Sequence, residues 1–85
     1  MIQKEIEVKL RQGLNARPAT LFVRTAGSFA SQIQIMHKDQ KADAKSILGI
    51  MSMAVFRGEK ITLAADGADE REAIKALEDI LVGAE

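Results

Sequence analysis

Along this chain the hydrophobic pattern switches repeatedly between a period of two and a period of about 3.6 residues, and no single regular structure satisfies both. From Ile2 to Arg11, Ile2, Ile6, Val8 and Leu10 share one parity, and Gln3, Glu5, Glu7, Lys9 and Arg11 share the other. This predicts a strand with one wet face, breached only by Lys4. After Gly13 the period lengthens: Ala19, Phe22, Val23, Ala26 and Phe29 recur at helical spacing, with Arg17, Thr20 and Arg24 on the opposite side. Asn15 stands where an N-cap would, and its side-chain oxygen is expected to accept a free N–H of the first turn. Pro18 is tolerated there because N–H groups in that turn have no intrahelical acceptor.

From Ser31 to Lys38 the period returns to two, with Ile33 and Ile35 inward and Gln32 and Gln34 outward. The polar KDQK run predicts a tight turn into a short strand near Lys41 to Ala44. KSILGIMSMAVF opens a second helix at Ser46, and Lys60 to Asp66 reads as a last strand with Ile61, Leu63 and Ala65 on one side. Asp69 and Glu72 suggest a capping box ahead of a final helix whose stripe is Ala73, Ile74, Leu77, Ile80 and Leu81. The order is βαββαβα. It predicts an α+β, open-faced two-layer sandwich, with three helices on one face of a four-stranded, mostly antiparallel sheet. A ferredoxin-like βαββαβ arrangement with an added helix satisfies the same pattern.

At 85 residues the chain is expected to form one domain spanning 1–85. With three Phe and no Trp or Tyr, its core is aliphatic, and a stability of roughly 3–5 kcal/mol is expected. The absence of Cys excludes a disulfide framework, a thiolate metal site and thiol catalysis. The N-terminal segment MIQKEIEVKL alternates charge and apolarity, unlike a signal peptide, and no apolar stretch approaches the ~20 residues of a membrane span. A cytoplasmic location without membrane contact is therefore expected. Twelve Lys and Arg balance twelve Asp and Glu, which disfavours direct nucleic-acid binding.

The second helix is anomalous. No charge occurs from Ser46 to Phe56, with Ile47, Ile50, Met51 and Ala54 on one side and Leu48 and Val55 on another. A short helix lying on a sheet buries one face, so some of Ile47, Leu48 and Met51 are expected to be exposed unless loops cover them. Ser46 reads first as a cap, and the site could also accept a phosphate, which would meet free N–H groups and a favourable helix dipole. His37, the single histidine, has no catalytic partner near it in sequence and reads as structural. No metal-ligand spacing, P-loop, dinucleotide fingerprint or paired carboxylate is present. Neither metal nor cofactor is expected.

Taken together, GLNARPAT and KSILGIMSM, in a chain of this length and element order, resemble the HPr family of bacterial phosphotransfer proteins over essentially the whole sequence. The resemblance implies an HPr-like fold. In that family the first motif carries a histidine that relays phosphate from phosphoenolpyruvate through Enzyme I; here the position is Asn15. The lone pair of an amide nitrogen is delocalised into its carbonyl, so Asn15 cannot relay a phosphoryl group. Ser46 matches the serine modified by HPr kinase/phosphorylase.

A neutral amide at the first site with the serine retained resembles the catabolite-repression, or Crh-like, branch of the family. That implies a regulatory protein rather than an enzyme: phosphorylated at Ser46, it would act as corepressor of the LacI-type regulator CcpA, which itself reads the DNA. Arg17, Thr20, Arg24, Ser46, Ile47, Leu48 and Met51 would form the partner surface, with Arg17 beside the phosphate if the amino ends of the first two helices adjoin. The alternative is a sugar-phosphotransferase carrier with an altered or engineered site. A swap of the first strand through an Arg11–Leu14 hinge is also geometrically open.

Overall fold

The alternating segments become strands and the longer-period segments become helices in the computed structural model, which describes residues 1–83. The elements are β1 (Ile2–Glu7), α1 (Ala16–Gly27), β2 (Gln32–His37), β3 (Gln40–Asp43), α2 (Ile47–Ser52), β4 (Lys60–Asp66) and α3 (Glu70–Leu81). The sheet order is β1-β4-β2-β3, and its three pairings are all antiparallel. A ferredoxin-like sheet would have β1 and β3 as adjacent central strands; here they are its two edges. In register, Ile6 faces Ile61 and Ile35 faces Leu63. Ala19, Phe22 and Ala26 of α1 and Ala73, Ile74, Leu77 and Leu81 of α3 are buried in the same core.

Several local expectations are corrected by tertiary partners. β1 stops at Glu7 rather than Arg11: Val8 still bonds Glu59 and Gly58 just ahead of β4, but the N–H of Lys9 donates to the carbonyl of Leu81 in α3, so the chain leaves the sheet edge there. Lys4 lies on the helix-covered side, where its ammonium reaches Glu78 of α3 at 2.9 Å. A charge on the inner side of an edge strand also discourages edge-to-edge pairing.

At the start of α3 no capping box forms. The Asp69 carboxylate turns away from its own helix and accepts from the N–H groups of Ala30 (2.8 Å) and Ser31 (3.0 Å) and from the Ser31 hydroxyl. Glu70, not Glu72, reaches back to accept the Gly67 N–H at 3.1 Å. Val23, Phe29 and Ile80 are only partly buried at the rim of the core.

Candidate functional site

α1 and α2 pack against each other, and the two motifs border that pair. Gly13 has φ +71, and a side chain there would meet the backbone of Val55 and Phe56. Glycine therefore lets the loop lie against the segment after α2, where the N–H of Leu14 donates to the carbonyl of Val55 at 2.9 Å. At the other end, the Lys45 ammonium donates to the carbonyl of Phe29, just beyond α1, at 2.8 Å. The helices are thus antiparallel, and their amino ends lie at opposite ends of the pair. This corrects the expectation that Arg17 adjoins Ser46: Arg17 marks one end of the surface and Ser46 the other.

Asn15 occupies the N-cap position of α1, but its side chain makes no cap bond. Instead its amide donates to the side-chain oxygen of Gln12 at 3.0 Å. Arg17, Thr20 and Arg24 are exposed as expected, although the Thr20 hydroxyl is spent on the carbonyl of Ala16 at 2.8 Å. Among the described residues neither Arg17 nor Arg24 has an acidic partner. Asn15, Arg17 and Pro18 also line an open groove of about 650 Å³ that runs between this loop and the end of α3.

Ser46 is the N-cap of α2, and its hydroxyl oxygen accepts the Gly49 N–H at 3.1 Å. The helix buries Ile50, followed by Met53 and Val55, while Ile47, Leu48 (81% exposed) and Met51 face solvent. Loops therefore do not cover this face. Ala54 is not part of a helical stripe, because the helix has ended at Ser52 and Ala54 adopts φ +52.

Besides the terminal Met1, two further exposed apolar residues were not among those expected, Phe56 and Leu21. Leu21 was legible, lying one helical turn after Arg17 among the polar positions of α1. Phe56 was not, because it follows the helix and its direction is set by the turn after it.

His37 does meet a carboxylate, though one distant in sequence. Its Nε2 lies 3.3 Å from Glu59 Oε1, off the line of a hydrogen bond, so both nitrogens of this buried ring lack a hydrogen-bond partner. Glu59 accepts the Phe56 N–H at 2.8 Å and the Lys38 ammonium at 3.1 Å. The Phe56 N–H first, then Lys38 and His37, hold the Glu59 carboxyl down to about 2. Among the described residues no three His, Asp or Glu side chains gather as a metal-holding group, and no helix is long and apolar enough to cross a membrane.

Comparison with known proteins bears on the same two motifs. The family model described as the PTS HPr component phosphorylation site matches residues 2–82. The chain is 52% identical over 77 residues to the HPr-like protein Crh of Halalkalibacterium halodurans, covering 91% of this chain and 92% of that protein. To the Crh of Bacillus subtilis it is 48% identical, covering 91% of each. Its fold is similar to HPr-C-His from Thermoanaerobacter tengcongensis, with a TM-score of 0.92 at 50% identity over 100% of this chain and 99% of that one. To the crystal structure of Bacillus subtilis Crh, described as a dimer with a swapping domain, the TM-score is 0.75 at 46% identity, covering 95% of this chain and 93% of that one.

Proposed function

This chain belongs to the HPr family, and on that premise we propose that it is a serine-phosphorylated regulator, a corepressor of CcpA in carbon catabolite repression rather than a phosphocarrier. The observation that carries this reading is the contrast between its two motifs. Asn15 offers no nucleophilic nitrogen at the loop, whereas Ser46 stands as the cap of α2 directly before the exposed side chains of Ile47, Leu48 and Met51. The likeness to relatives named Crh supports it.

HPr kinase/phosphorylase would transfer phosphate to the Ser46 hydroxyl, adding about −1.5 to −2 charges. The product would offer acceptor oxygens to cationic groups of the repressor while Ile47, Leu48 and Met51 enter an apolar pocket. Arg17, Thr20 and Arg24, along the exposed side of α1, would form the rim. A preference of roughly 30- to 150-fold for the phosphorylated form needs only ~2–3 kcal/mol, within reach of two charge-assisted hydrogen bonds. The protein would act in the cytoplasm, without contacting DNA or membrane itself.

Mass spectrometry after two parallel incubations tests this. One phosphate on Ser46 from HPr kinase/phosphorylase with ATP, and none from Enzyme I with phosphoenolpyruvate, is the expected result. Acceptance from Enzyme I would favour the carrier alternative. No phosphate from either would overturn both readings.

A further inference from the structure

The groove beside Asn15 has a composition that the Ser46 reading does not use. Its volume, about 650 Å³, falls within the roughly 300–1,000 Å³ of small-molecule sites. Leu10, Leu21 and Ile80 supply apolar wall, and Arg11 and Arg17 supply two cations. Among the described residues neither guanidinium has an acidic partner and no carboxylate lines the groove. The acids of the adjoining α3 turn are engaged elsewhere, Glu78 by Lys4 at 2.9 Å and Asp79 by Lys75 at 2.8 Å. The amides of Gln12 and Asn15, bonded to each other, stand in the same lining.

We propose that this groove binds a small organic phosphate monoester without covalent chemistry. Two planar guanidinium forks suit phosphate oxygens and balance the charge of a monoester, which is close to dianionic above its second pKa of about 6. The apolar walls take the organic body. Because Asn15 offers no nucleophile, the ester is held intact and no phosphoryl group moves. Since Arg17 also belongs to the proposed docking rim, an occupied groove would present a different surface there. This goes beyond the corepressor reading and does not depend on it.

The test is an NMR titration of the full, unphosphorylated, nitrogen-15-labelled chain at about pH 7.5, with phenyl phosphate as probe and inorganic phosphate beside it. The expected result is saturable shifts confined to the groove, around Gln12, Asn15, Arg17 and Ile80, with Kd below about 1 mM and at least about tenfold weaker binding of inorganic phosphate. The double variant Arg11→Gln/Arg17→Gln should weaken phenyl phosphate at least about tenfold, and Arg11→Gln alone about threefold, each with the remaining spectrum unchanged. No saturation by about 10 mM, equal binding of inorganic phosphate, or undiminished binding by the double variant would each overturn the proposal.

Discussion

Ser46 and Asn15 stand in the same place relative to a helix, and only Ser46 bonds its own helix with its side chain. Ser46→Ala should therefore cost about 1 kcal/mol of stability. Asn15→Ala, which removes no cap bond, should cost only a few tenths, roughly the scale of a surface change. Urea denaturation of the two variants side by side checks the difference, and Ser46→Ala should also abolish phosphate-dependent repressor binding. Gly13→Ala should be far worse, by about 2–4 kcal/mol, because φ +71 and the Phe56 Cα, 2.8 Å from where its side chain would begin, leave no room. Neither Gly13's need nor Asn15's choice of Gln12 is local: the first depends on a chain segment some forty residues away, and the second on the loop that this segment shapes.

α2 is too short to be stable alone and persists because one side of it is buried. Its side chains accordingly divide into two classes that substitution should separate. Ile50, with no exposed area, should lose about 2–5 kcal/mol on replacement by Ala. Leu48→Ser should leave stability within about 0.5 kcal/mol, since this residue is mostly in water. The same Leu48→Ser change should weaken repressor binding at least about tenfold if its side chain fills an apolar pocket. Calorimetric titration with the Ser46-phosphorylated protein checks that loss. A Leu48→Ser variant that binds unimpaired would remove α2 from the docking surface. The apolar character all round α2 was plain in the residue pattern, but which side faced out was set by the sheet beneath it.

Across the whole molecule, carboxylates close joints between elements distant in sequence, and three of these carboxylates have a lowered pKa. Glu59 ties the end of β2 to the segment after α2, Asp69 ties the start of α3 to the Ala30–Ser31 backbone, and Glu70 meets the Met1 amino group. All three are held below their ordinary range: Glu59 chiefly by the Phe56 N–H, Asp69 chiefly by the Ser31 hydroxyl and Glu70 chiefly by the Gly67 N–H. A group whose folded pKa is depressed stabilises the fold above its unfolded value and loses that contribution as pH falls through the folded one. For Glu59 the window runs from 4.5 down to about 2. The urea midpoint should thus be insensitive to these groups from about pH 7 to 5 and fall below that. Glu59→Gln combined with Asp69→Asn should flatten the acid limb, and an unchanged limb would mean other groups govern it.

The sequence alone determined the element order, most of the buried stripes of α1, α3 and the strands, and the chemical contrast between an amide at Asn15 and a hydroxyl at Ser46, because periodicity and side-chain chemistry belong to the residues themselves, whereas the missing cap bond of Asn15 does not. Only the tertiary structure decided the antiparallel setting of α1 and α2, the partners of Lys4, His37 and Asp69, the exposure of Phe56, and the groove between the α1 loop and α3. Each of these joins residues distant along the chain. Such pairs form where packing brings elements together, so the composition of either element alone does not specify them.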